Sequence, residues 1–351
     1  MKGEVTMKKA IVGAVLIALT AGNVALADPP VLSITGAGAT FPYPIYSKWF
    51  DTYHKLHTNI EINYQSIGSG GGIRQVTEGT VDFGATDGPM DDKALKGFSD
   101  KRGCNVLHFP TVLGGVVPIY NIPGVEGEIK FTPEALVGIY LGTISKWNDP
   151  VIAKDNAHLK LPANDIVVVH RSDGSGTTYI WVDFLSKVSK DWKEKVGVGT
   201  SVKWPVGLGG KGNEGVSGMV KQTPNSIGYV ELIYALQNKM SYGSVKNAAG
   251  KFVKANLKSV TAAAAGAAKN MPEDFRVSIT NPPGEDVYPI ASFTWLLVPD
   301  QIKDEAKRKA IVGFLQWMLD KGQKMTEALQ YAPLPKEVVE KEKKAIEKIH
   351  G

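Results

Sequence analysis

At 351 residues, 43% hydrophobic and 21% charged, the chain has length for two ordinary domains and side chains for their cores, which excludes a disordered or collagen-like polymer. Its formal charge of +5 falls to about +3 once the three lysines and one glutamate of residues 1–27 are set aside, too mild an excess to imply nucleic acid or a membrane surface as partner. The single cysteine, Cys104, excludes an intrachain disulfide, so core burial has to hold the fold together. Lys8 and Lys9 precede an apolar run, 10–19, and a small-residue site, Ala25-Leu26-Ala27. This is the pattern of a secretory signal peptide, 1–27, cleaved after Ala27, with Met1 or Met7 as its start. No cysteine follows that would accept a lipid anchor, and no later run is long and apolar enough to span a bilayer. The expected location is the periplasm.

Strand and helix patterns then alternate. VLSITGAGATF, 31–41, reads as a strand followed by a glycine-rich turn. Ile45, Tyr46, Trp49, Phe50, Tyr53 and Leu56 fall at helical spacing. IEINYQS, 60–66, alternates like a strand; GGIRQVTEGT is a short helix and VDFGATD another strand. A long extended run, 110–123, follows, then a helix over 133–141, a strand at 166–169 with a helix after it, and a strand-to-helix turn at 225–237. The alanine-rich 262–268 predicts a tightly packed helix without chemistry. A second extended run, 287–299, leads to a helix near 302–319 and a last, solvated helix, 336–349. The alternation predicts an α/β architecture with mostly parallel strands. The two extended runs are expected to cross between two lobes, one of residues 28–111 and 291–351, the other of residues 112–290.

The densest chemical signal is HRSDGSGTTY, 170–179. An apolar strand runs into it and a helical pattern runs out. Free N–H groups at a helix start attract anions, and Arg171 adds a fork-shaped cation suited to an oxyanion. Three further loops, GAGATF (36–41), IGSGGG (67–72) and ATDGPM (85–90), also follow strands. Together with 170–179 they place Thr40, Ser69, Ser175 and Thr177 at strand ends, where ligands of α/β folds gather. GAGATF has Phe41 where a dinucleotide fingerprint needs glycine, and no P-loop run exists. Ser175 lies in GSG rather than GxSxG, and no paired base is evident. His108 and His170 read as structural, and His54 with His57 lacks a third zinc ligand. The residues thus describe a site for a small tetrahedral anion, with an exported phosphatase as the alternative that would need a nucleophile or metal centre.

GAGATFPYPIYSKW, INYQSIGSGGGIRQ, VDFGATDGPM, FPTVLGGVVPIYNIPG, IYLGTISKWNDP, RSDGSGTTY and NSIGYVE together resemble the periplasmic phosphate-binding proteins of Pst-type ABC importers, over nearly the whole chain after residue 27. The resemblance implies a two-lobed periplasmic binding-protein fold of type II, α/β with two crossover segments, closing on one inorganic phosphate ion. It implies no enzyme activity and no cofactor. Its partners would be the transmembrane permease subunits of a phosphate transporter with a cytoplasmic ATPase, the receptor itself being a monomer. Carried over by motif, the phosphate ligands are Thr40, Phe41 through its N–H, Ser69, Asp87, Arg171, Ser175, Gly176 and Thr177, with Asp173 supporting Arg171. Ser172 stands where the family often has alanine, and Pro42-Tyr43-Pro44 is a minor variation. A sulfate receptor is the runner-up within this class.

Overall fold

A computed structural model describes residues 31–351. The signal peptide and its cleavage after Ala27 lie outside the described residues. The strands are β1 (Leu32–Gly38), β2 (Ile60–Ser66), β3 (Phe83–Thr86), β4 (Val106–Asn121), β5 (Lys130–Phe131), β6 (Val167–Arg171), β7 (Leu208–Gly210), β8 (Ser226–Glu231), β9 (Ser241–Tyr242), β10 (Ser244–Lys246), β11 (Phe252–Val253) and β12 (Ala291–Pro299). The main sheet runs β2-β1-β3-β12-β4-β8-β6-β7, with β9 added to β4; β11-β10-β5 form a small second sheet.

Only the two flanks of the main sheet are parallel. β2, β1 and β3 run together on one side, and β8, β6 and β7 on the other. Helical crossovers connect parallel strands on each flank, as the alternation predicts. In the middle, β12 is antiparallel to β3 and β4, and β4 is antiparallel to β8. The expectation of mostly parallel strands therefore fails at the centre. There the chain passes once in each direction as extended backbone, and such passes pair head to tail.

β4 is the shared element. Its residues from Val106 to Gly115 pair with β12, and Val116 to Asn121 pair with β8. This one sixteen-residue strand belongs to both flanks. Every residue from His108 to Tyr120 is buried, which suits the near-continuous apolar run LHFPTVLGGVVPIY. β12 begins at Ala291, opposite Gly115, and is buried throughout. The residues before it in the predicted extended run, 287–290, precede the strand, and the Ile290 carbonyl accepts from the Val116 N–H at 2.8 Å.

The first helix, Tyr43–Leu56, buries Ile45, Tyr46, Trp49, Phe50 and Tyr53, as its spacing predicts. Leu56, the last residue of the helix, lies instead on the surface, 62% exposed. The alanine-rich stretch lies within helix Leu257–Lys269 and packs Ala263, Ala264 and Ala268 inward. The last helix, Lys336–Ile346, keeps its charged face outward except for Glu342, which is fully buried.

Candidate functional site: an anion cleft between two strand flanks

Each loop singled out in the sequence leaves the carboxyl end of a strand. GAGATF follows β1 and precedes helix Tyr43–Leu56; IGSGGG follows β2 and opens helix Ser69–Glu78. ATDGPM follows β3, and the RSDGSGT loop joins β6 to helix Gly176–Val188. Parallel strands on a flank point their carboxyl ends the same way, so the helix starts converge. Backbone fit adds to this. Gly68 has φ 90°, and a side chain there would strike the Asp173 carboxylate. At Gly176 a Cβ would sit 2.5 Å from both Asp87 and the Ser69 hydroxyl, so only glycine lets this helix start come so close.

The predicted residues form one buried cluster. The Ser69 hydroxyl accepts from the Asp87 N–H at 3.2 Å and from the Gly176 N–H at 3.0 Å. The Gly70 N–H donates to the Gly174 carbonyl at 2.9 Å, so loops from the two flanks touch directly. Ser175 caps its helix, its hydroxyl accepting from the Thr178 N–H at 3.0 Å. Thr40, Ser69, Asp87, Arg171, Ser175 and Thr177 are all nearly inaccessible. Phe41 is buried, and its carbonyl accepts from the Tyr331 hydroxyl at 2.6 Å. A groove of about 720 Å³ opens beside the cluster, lined by Gly70, Gly88, Pro89, Tyr179, Ser201 and Arg276.

Arg171 is held as a fork. Its Nε and Nη2 meet the two Asp173 oxygens at 2.8 and 2.5 Å, and its backbone N–H donates to the Tyr229 hydroxyl at 3.1 Å. Its Nη1 is buried with no partner among the described residues. A guanidinium with one unpaired buried donor is a strong anion hook, because leaving that donor bare costs more than an average hydrogen bond gains. Burial alone would raise the Asp173 carboxyl. The Arg171 hydrogen bonds and charge, with the Gly212 N–H at 3.0 Å, outweigh burial and hold it below the usual carboxylate range.

Asp87 is balanced differently. Burial drives its carboxyl up to about 7, while the Thr294 hydroxyl, the Arg171 charge and Ser69 pull it back down. Thr294 on β12 donates to Oδ1 at 2.7 Å. The site acid is thus poised near neutrality, able to accept or to donate a proton.

The two histidines near the strand ends are structural, as expected. His170 stacks on Trp204 at 4.8 Å, and His108 is buried, accepts from the Met90 N–H and is pushed down to about 3. Three residues in the cluster escaped the sequence reading: Thr294, Tyr229 and Asn213. Asn213 is buried at the start of helix Gly212–Gln222, directly after β7. Its segment GGKGNEG repeats the strand, glycine loop and helix-start pattern of the other loops, so the signal was present. Thr294 and Tyr229 lie inside strands and carry no local signal.

A family model described as a PBP superfamily domain matches residues 23–321. The phosphate-binding protein PstS of Xylella fastidiosa (strain Temecula1) is 50% identical over 309 residues, covering 88% of this chain and 83% of its own. The chain belongs to the PBP superfamily and, within it, to the PstS phosphate-binding protein family. PstS of Pasteurella multocida is 47% identical over 310 residues, covering 88% of each chain. Among solved structures, a high affinity periplasmic phosphate-binding protein (PfluDING) bound with phosphate superposes with a TM-score of 0.71 at 21% identity, covering 88% of this chain and 92% of that one. That likeness establishes the two-lobed binding-protein fold, with β4 and β12 at the junction of its flanks.

Proposed function

We propose that this chain is the phosphate receptor of an ABC importer: it closes on one inorganic phosphate ion and presents it to the permease subunits. The observation that carries the reading is the pairing of a donor-rich cleft with one buried, proton-poised acid. N–H groups, hydroxyls and Arg171 answer the oxygens of an anion. Asp87 answers the proton that phosphate still carries near neutral pH and sulfate lacks. The proposed ligands are Thr40, Phe41, Ser69, Asp87, Arg171, Ser175, Gly176 and Thr177, with Asp173 holding Arg171. Family membership supports a binding protein rather than an enzyme, and needs no cofactor.

We also infer the lobes to be residues 28–111 with 291–351, and residues 112–290. The exchange of partners along β4, between Gly115 and Val116, supports a junction close to the first boundary. Export to the periplasm with cleavage after Ala27, and a monomeric receptor, complete the proposal. Calorimetric titration with phosphate, sulfate and arsenate tests it: phosphate should bind tightly and sulfate weakly. Hydrolysis of a chromogenic phosphate ester, or equal binding of sulfate, would overturn it.

A further inference from the structure

Asn213 joins parts of the cleft that the chain keeps far apart. Its Nδ2 donates to the Thr40 hydroxyl at 2.7 Å and to the Thr177 hydroxyl at 3.1 Å. Its Oδ1 accepts from the Glu231 N–H at 3.0 Å. A backbone N–H can only donate, so that contact fixes which end of the amide is oxygen. The side chain must therefore offer N–H protons, not lone pairs, to both threonines. The Asn213 backbone N–H adds a second donation to the Thr40 hydroxyl at 3.3 Å.

The consequence lies in the hydroxyls. A threonine hydroxyl has two acceptor positions and one proton. On Thr40 both acceptor positions are filled by Asn213, and on Thr177 one is. Neither hydroxyl donates to any described residue. Both are buried, so water does not set their direction. With Asn213 donating to both oxygens, neither proton is spent on a described residue, and both remain to be offered to a bound anion.

We propose that Asn213 is a positioning residue that turns the Thr40 and Thr177 hydroxyls into preset donors toward the anion. This rests on the phosphate reading above. Because the hydroxyls are aimed before the ligand arrives, no reorientation is needed on binding. The loop that carries Asn213 also holds Asp173 through the Gly212 N–H, so one helix start aligns both the cation's partner and the hydroxyls.

Phosphate affinity in a double-mutant cycle tests the role, with circular dichroism melts to confirm that each variant is folded. Asn213→Ala should weaken phosphate binding by about tenfold, the scale of one oriented buried hydrogen bond. In a Thr40→Val/Thr177→Val background the same change should cost less than about threefold, since no hydroxyl remains to orient. An equal loss in both backgrounds would overturn the proposal and leave Asn213 a loop tether. Asn213→Asp supplies a second arm. It keeps the shape but its carboxylate accepts both hydroxyl protons, so it should lose more affinity than Asn213→Ala, and the excess should shrink in the valine background. A milder loss for Asn213→Asp than for Asn213→Ala would count against the role. A parent protein with no calorimetric response to phosphate would instead defeat the phosphate reading itself.

Discussion

Two of the molecule's buried acids, Asp87 and Glu342, sit in very different company. Asp87, in the cleft, receives the Thr294 hydroxyl and lies in the field of Arg171. Glu342, in the last helix, is equally buried, yet neither of its carboxyl oxygens has a partner among the described residues. Burial raises both, Asp87 to about 7 and Glu342 well above the usual carboxylate range. Only at Asp87 do donors and a cation pull the acid back toward neutrality, where a proton can be exchanged with a ligand. Glu342 is simply held neutral. The same penalty of burial is thus partly offset by donors and a cation in one place and left uncompensated in the other.

The largest effect is expected at Arg171, whose charge joins the Thr294 hydroxyl in pulling Asp87 down against burial. Arg171→Ala leaves Asp173 without its partner and removes the unpaired Nη1 donor. Phosphate binding should weaken by about 2–4 kcal/mol in calorimetry. Unchanged affinity would remove Arg171 from the site.

Asp87→Asn comes next. An amide can donate to sulfate, so discrimination between phosphate and sulfate should fall by roughly 2 kcal/mol, more than phosphate affinity itself falls. A carboxyl near 7 sharpens this with pH. As pH drops from 8 to 5 the parent's Asp87 gains a proton it can offer to sulfate, so its selectivity should shrink, whereas that of Asp87→Asn should stay flat. Competition titrations of both proteins at both pH values decide the matter.

A third test concerns stability without phosphate. Raised acids favour the folded state only while protonated. Their contribution is full below the unfolded value of about 4 and is lost as pH rises toward the folded value. For Asp87 that window runs from about 4 to about 7. Removing Glu342's orphaned oxygens by Glu342→Met should stabilise the fold by on the order of 1–3 kcal/mol, with a larger gain at pH 8 than at pH 5. Phosphate affinity should not change. Weaker binding by Glu342→Met would show that this acid also serves the cleft, and the contrast between the two acids would collapse.

The smallest signal is the shape change. The two flanks touch through Gly70 and Gly174 and through Ser69 and Gly176, so phosphate should favour their closed arrangement. Small-angle scattering should record a radius of gyration lower by on the order of 1 Å with saturating phosphate. Identical curves would mean a cleft already closed.

The alternating strands and helices, the buried face of helix Tyr43–Leu56 and the four anion loops were all legible in the chain, because each depends on local spacing or on glycines and hydroxyls next to a strand end. Arg171 was legible from its loop, whereas the role of Asp173 came from the family resemblance; two residues apart, they bridge within one loop. What the tertiary structure alone decided is longer in range. The central antiparallel pairing of β4 with β12 joins segments nearly two hundred positions apart, and nothing in either run marks its partner. The pull of Thr294 on Asp87 follows from that pairing. So does the reach of Asn213 to both Thr40 and Thr177, since hydrogen bonds across a cleft depend on where packed elements bring their ends. Sequence spacing set which groups stand at strand ends; packing of the two flanks set how deeply they are buried, and burial is what raises the Asp87 carboxyl to about 7, the range on which the proposed discrimination between oxyanions depends.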